Sequence, residues 1–413
     1  MRIAYLCADR GVLVTGCNGA STHIREFANA LAAKGAEVKI LSARADGGYS
    51  RAPLACEVIG VDTDPLLRRL RQRTAQVAGT ASAIGTQASE IHGLLLNQTV
   101  LEHLDALHRR WPIDLVFERY SLWSLAGFQF ARRHRIPFFL EVNAPLTAQQ
   151  EDYRTLYNAA TARALEHTLL SGADRVIVPS RALAEHVSQQ GCPSTRVRIV
   201  PCGVARELFA SHRAPETIAE QRDEFTVGFL GSLKPWHGVE ILLEAFRTLR
   251  ERSRAYRLLV VGDGPLRGLV EDYCRRHRAS GGVTITGEVA HADVPRYLAR
   301  MDVGLATYPP LPLFYFSPLK VFEYAAAGVP IVASTSGQIA EILEHRVNGL
   351  LHRPGDVEEI VRHVEELRAR PILRVRFARR ARRTVLKGYT WDRQAGRLLG
   401  FAESVCRRYT GFR

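Results

Sequence analysis

Residues 226 to 250 read TVGFLGSLKPWHGVEILLEAFRTLR. Thr226-Val227-Gly228-Phe229-Leu230 is a short β-branched and aliphatic run, the pattern of a buried strand. Val239 to Arg250 carries apolar residues at helical spacing, and the stretch between them is broken by Gly231, Pro235 and Gly238. Strand, loop and helix in that order form the half-unit of a parallel sheet with crossover helices. The alternation continues downstream through Arg257 to Val261, Val283 to Ile285, Val303 to Ala306 and Val329 to Ala333. Upstream it runs through Ile3 to Leu6, Glu37 to Leu41, Leu115 to Phe117, Phe138 to Val142 and Arg175 to Val178, with a helix predicted from Thr22 to Lys34 and ended by Gly35. The fold class is α/β, and 413 residues are too many for one compact core. Two doubly wound domains are expected, residues 1–205 and 206–390, joined within the polar stretch from Ala205 to Phe225. The crevice between them is the default ligand site.

Composition narrows the function. With 46% hydrophobic and 24% charged residues the chain is globular, which excludes collagen-like, coiled-coil and disordered classes. The net charge of +14 favours anionic partners: nucleotide phosphates, lipid headgroups or nucleic acid. Most of that charge is arginine; the lysines are Lys34, Lys39, Lys234, Lys320 and Lys387. The 7 cysteines are widely spaced without a Cys-x-x-Cys, which argues against zinc and disulfides and for a reducing cytoplasm. The opening MRIAYLCADRG reads as a strand rather than a signal peptide, and the apolar stretch Val303 to Leu319 is interrupted by prolines, so no membrane span is expected. A mostly helical insertion is predicted from Asp64 to Trp111. Its leucine and arginine mixture, Arg68 to Arg73, is either a solvated helix face or a peripheral contact with an anionic membrane. Neither this run nor Arg374 to Arg383 interleaves exposed aromatics for base stacking, and no recognition motif accompanies them, so nucleic acid is not expected as a partner.

Tyr308 to Ser334, YPPLPLFYFSPLKVFEYAAAGVPIVAS, carries the chemistry. Ser317 as N-cap and Pro318 at the first helical position predict a short helix ended near Gly328. The free N–H groups at its start, where Ser317, Pro318 and Leu319 stand, and the charge of Lys320 suit an anion. Glu323, one turn on, suits two hydroxyls of a ribose; the plainer alternative is a Lys320–Glu323 surface pair. The loop holding Gly231, Ser232, Lys234 and His237 follows another strand of the same domain, as does Gly262-Asp263-Gly264-Pro265, and strand-end loops are where such sheets bind ligands.

These residues resemble the donor domain of the retaining glycosyltransferases of family 4, the glycogen synthase and mannosyltransferase-like group of GT-B fold. GSLKPWHGVEILLEAF, VVGDGP, ITGEVAHADVPRYLARMDVGLATYP and KVFEYAAAGVPIVAS carry the likeness in the family's order. So do Gly19 to Glu26, ADRVIVPSRALAEHV with IVPCGV, and YTWDRQAGRLLGFAESV, which resembles the family's C-terminal helix, here 391–413, returning over the first domain. The resemblance implies sugar transfer from a nucleotide-diphosphate donor, UDP preferred over GDP, to a hydroxyl acceptor that is a glycan, lipid-linked or a small molecule. No cofactor and no metal are implied. Glu323 matches the family's ribose-binding glutamate, while Gly19, Gly231, Ser232, His237, Gly262, Gly264, Ser317, Pro318 and Leu319 match donor contacts.

The family's first motif glutamate is replaced by Tyr315, its diphosphate-gripping arginine and lysine by Ser232 and His237, and a histidine after a first-domain strand by Asn143. Lys320 and Lys234 are then expected to stabilise the leaving diphosphate, with Asn143 and His23 completing the catalytic set. His23 reads equally as a cap neighbour, Trp236 and Tyr315 as packing, and Glu118 with Arg119 as a surface ion pair rather than the acceptor side. A nucleotide-sugar epimerase, an inactive binding subunit and a basic nucleic-acid or membrane-surface protein are the competing readings.

Overall fold

The computed structural model describes residues 1–16, 18–44, 54–61, 82–153, 155–210, 223–277 and 280–410. The strands are β1 Arg2–Cys7, β2 Glu37–Ser42, β3 Glu57–Gly60, β4 Leu115–Arg119, β5 Phe138–Glu141, β6 Arg175–Val178, β7 Val197–Ile199, β8 Phe225–Leu230, β9 Tyr256–Val261, β10 Val283–Ile285, β11 Val303–Ala306, β12 Ile331–Ser334 and β13 Leu350–His352. They form two parallel sheets, ordered β3-β2-β1-β4-β5-β6-β7 and β10-β9-β8-β11-β12-β13. The first is in register through Ile3 opposite Val38 and Leu115, the second through Val227 opposite Leu258 and Val303. Each strand order reverses once, between β1 and β4 and between β8 and β11, and the loops leaving those strands open toward the same cleft.

Strands such as Ile3 to Cys7 are buried on both faces, which is why they read as unbroken apolar runs. The three strands absent from the sequence reading, β3, β7 and β13, are edge strands of four, three and three residues, too short to show a period. With β3 counted, Asn143 follows the fifth strand of the chain.

Helix Trp391–Thr410 packs along helix Gly19–Ala33, with Trp391, Ala395, Leu398 and Ala402 buried in one cluster with Ile24, Phe27 and Leu31. Each such large apolar side chain contributes about 1.5–3 kcal/mol by burial, and Lys34 meets Asp392 at 2.9 Å at the rim. Much of the polar join and the Arg68 to Arg73 segment lie outside the described residues. The described part of the insertion is helix Ser82–Arg110. The Arg374 to Arg383 run lies in helix Pro371–Gly388, where Arg374 turns inward to 3.9 Å from Asp302.

Candidate functional site

The carboxyl ends of the two sheets enclose a cavity of about 480 Å³. Two helix N-termini face it. Helix Gly19–Ala33 starts at Asn18, whose side chain accepts from the Ser21 amide at 3.0 Å, and helix Leu319–Ala326 starts opposite. A Cβ on Gly19 would lie 3.4 Å from Leu319 Cδ1, so the two starts nearly touch. Both dipoles present positive ends to one space, an arrangement suited to an anion. The floor on the second domain is Gly231, Ser232, Gly262 and Gly264. Gly262 has φ of 136°, and a Cβ there would collide with the Gly231 carbonyl, so glycine is what allows the two loops to meet.

Lys320 lies in the first turn of its helix, 6% exposed, and its Nζ has no hydrogen-bond partner among the described residues. The ammonium stands 4.0 Å from the Phe229 ring centre and 5.1 Å from that of Tyr308. Burial lowers its pKa to about 7 against the pull of Glu323. This is no surface pair: Glu323 turns instead to His291, whose Nε2 donates to Glu323 Oε1 at 2.8 Å. The other Glu323 oxygen remains for a ligand.

Lys320, Glu323, Asn143, His23, Gly19, Gly231, Ser232, His237, Gly262, Gly264, Ser317, Pro318 and Leu319 all line the cavity. Lys234 does not. Extended just before Pro235, it lays its ammonium 5.1 Å over the Trp236 ring instead. His237 is present but uncharged: burial, then the charge of Lys320, lowers its pKa to about 3, and Nδ1 donates to the Ser232 carbonyl at 2.5 Å. It shares no positive charge with either lysine.

Ser317 is not the N-cap. Pro318 holds that position, and Ser317 Oγ accepts from the Cys202 amide at 2.9 Å and donates to Gln338 Oε1 at 2.7 Å, joining the domains beside the cavity. Tyr315 lies outside the cavity, accepting from Gln149 Nε2 at 2.8 Å through its hydroxyl and from Ser180 Oγ at 2.8 Å through its carbonyl. With Trp236, it borders a smaller pocket of about 170 Å³.

His23 reaches the wall with both ring nitrogens engaged, Nε2 with Glu141 at 2.6 Å and Nδ1 with the Cys202 thiol at 3.4 Å. Burial opposes its charge, but Glu141 outweighs burial and raises the histidine well above its ordinary value. Burial likewise works against the Glu141 carboxylate, and His23 overrides it to hold that group low. Expected as a catalytic group, His23 is half of a buried ion pair with no free base to offer. Tyr5 donates to the same carboxylate at 2.8 Å, and Arg119 stands 3.5 Å away and borders the cavity. Glu118, far from being a surface charge, is fully buried; burial raises it to about 7, against a hydrogen bond from Ser124. Asn143 Nδ2 is buried without a hydrogen-bond partner among the described residues.

His291 was not singled out from the sequence, although it lies in a quoted stretch, because nothing local marks a histidine after a strand as a ligand group. Among the described residues no three His, Cys, Asp or Glu side chains gather to hold a metal. An Asp-x-Asp triplet, Asp62-Thr63-Asp64, lies outside the described residues. None of the helices formed by the described residues is long and apolar enough to cross a membrane.

Two facing doubly wound domains with a glycine-floored cavity between their carboxyl ends define the GT-B architecture. Residues 18–203 match the glycosyl transferase 4-like domain and residues 224–370 the group 1 glycosyl transferases, and the chain belongs to the group 1 glycosyltransferases. It is 24% identical to glycogen synthase of Mycobacterium tuberculosis over 404 residues, 95% of this chain and 92% of that one. Sucrose-phosphate synthase of Thermosynechococcus elongatus shares the fold with a TM-score of 0.75, at 20% identity over 98% of each chain. HepE of Anabaena, solved with UDP-glucose, shares it with a TM-score of 0.71, at 19% identity over 98% of this chain and 100% of that one.

Proposed function

We propose that this glycosyltransferase moves a sugar from a nucleotide-diphosphate donor, UDP in preference to GDP, to a hydroxyl of a glycan, lipid-linked or small-molecule acceptor. The transfer retains anomeric configuration and needs neither metal nor cofactor, and the enzyme acts in the cytoplasm, where its cysteines stay reduced. The observation that carries the reading is the buried Lys320 ammonium, without a hydrogen-bond partner among the described residues, at a helix start that faces a second helix start across the cavity. A buried cation without a partner is costly, and a diphosphate supplies the missing anion. One turn along, Glu323 keeps an oxygen for the ribose hydroxyls. The Anabaena neighbour's UDP-glucose complex and the glycogen synthase relative support a nucleotide-sugar donor.

As the glycosidic bond breaks, charge grows on the leaving phosphate, and Lys320 with the helix N–H groups stabilises it more than the bound donor. The same phosphate then accepts the acceptor's proton on the face from which the sugar leaves, which preserves configuration. The orphaned Asn143 amide faces this space from the first domain and serves the sugar or the acceptor. Calorimetric titration with UDP, GDP, ADP and TDP, followed by release of free nucleotide from the matching sugars, tests the proposal. Binding of one nucleotide with slow donor hydrolysis is expected. Sugar isomerisation without release would make the protein an epimerase, and binding without turnover an inactive subunit.

A further inference from the structure

We infer that His291 is a positioning residue that locks the nucleotide-binding carboxylate of Glu323 and ties it to Glu26 on the opposite domain, so that nucleotide affinity depends on this bridge across the cleft. The inference rests on the reading of Glu323 as the ribose acceptor. His291 opens the short turn His291–Asp293 after β10 and is 8% exposed. Its Nε2 lies 2.8 Å from Glu323 Oε1, and its Nδ1 lies 3.6 Å from Glu26 Oε1 on helix Gly19–Ala33 of the first domain.

Both ring nitrogens therefore face carboxylate oxygens. A neutral imidazole has one N–H, and its second nitrogen would turn a lone pair toward a negative charge. Only the imidazolium satisfies both sides, and burial, which opposes that form, is outweighed by Glu26 and Glu323. Two consequences follow for ligand binding. The Glu323 carboxylate is held by one oxygen, leaving the other fixed toward the cavity, so the ribose meets an acceptor that has already lost its rotational freedom. The contact to Glu26 is longer than a hydrogen bond, and closing the cleft by about 0.7 Å there would make it one. Closure and ribose binding then favour each other through a single side chain. Without His291, Glu26 and Glu323 would be two carboxylates near the same seam with no cation between them.

The test is calorimetric titration with UDP, or whichever of the four nucleotides the native protein binds, on His291→Ala, His291→Gln, Glu26→Ala, Glu323→Ala and the double variant His291→Ala/Glu323→Ala. His291→Ala should weaken binding about tenfold, the loss of one charge-assisted hydrogen bond. His291→Gln, whose amide can still donate to Glu323, should recover affinity to within about threefold of native, and Glu26→Ala should cost about threefold. The double variant should bind no more weakly than Glu323→Ala alone, because His291 acts through Glu323. Circular dichroism and melting temperature report folding, and if His291→Ala does not fold, His291→Asn replaces it under the same criteria. Native-like affinity in the His291 variant alongside a weakened Glu323→Ala overturns the inference, as does a double variant whose loss is the product of the two single losses. Unchanged affinity in Glu323→Ala overturns instead the ribose reading beneath it.

Discussion

Replacing Lys320 by methionine should stabilise the protein while removing most of its activity. The drop of the lysine pKa from 10.5 to about 7 corresponds, at 1.36 kcal/mol per pKa unit, to on the order of 5 kcal/mol against the charged form. Methionine fills a similar volume without the charge, but it forfeits the contacts over Phe229 and Tyr308, together worth about 2 kcal/mol when desolvated. The net gain is about 3 kcal/mol, or roughly 6–12 °C in melting temperature at about 2–4 °C per kcal/mol for a domain of this size. Because the folded pKa lies below the unfolded one, the native state sheds a proton. The penalty is therefore full below pH 7 and fades as pH rises toward 10.5. The stabilisation should be largest near pH 6 and vanish by the upper end of that window. Scanning calorimetry at several pH values reads it, alongside steady-state release of nucleotide, where kcat should fall on the order of a hundredfold with donor KM changed far less. A Lys320→Met protein that melts at or below the native temperature at pH 6, and turns over within about threefold of native, would refute the argument that an unsatisfied buried ammonium serves the diphosphate.

Glu323→Ala should raise the nucleotide Kd at least about tenfold by calorimetry, through loss of the ribose contact. Turnover should persist in excess EDTA; a loss on chelation that magnesium or manganese restores would place a metal in the reaction. His23→Ala strands Glu141 in the first-domain core and should destabilise the protein by about 3–5 kcal/mol in denaturant titration, with a smaller loss expected to the extent that Tyr5 and Arg119 compensate. Lys234→Ala should leave kcat within about threefold of native, since its ammonium lies over Trp236 outside the cavity.

The sequence by itself determined the features that depend on near neighbours along the chain. Apolar runs alternating with helical periods announced two parallel sheets. Glycines at 231, 262 and 264 announced tight strand-end loops, and Lys320 with Glu323 one turn apart placed both groups at one helix start, because all of these follow from backbone geometry over a few residues. The edge strands Glu57–Gly60, Val197–Ile199 and Leu350–His352 escaped for the same reason, being too short to carry a period and existing through their neighbours' hydrogen bonds. The rest was decided by tertiary structure. Lys234 and Lys320 look alike in sequence, yet one long side chain folds onto Trp236 and the other is buried against Phe229, a choice made by the surrounding volume. Ser317 had the local signature of a cap and was drawn instead to Cys202 and Gln338. His23 found Glu141, and His291 found Glu323 and Glu26, across separations that no local pattern encodes. Such pairings form because folding buries opposite charges side by side, within one domain for His23 with Glu141 and for His291 with Glu323 and across the seam for His291 with Glu26, where leaving either charge alone would cost several kcal/mol.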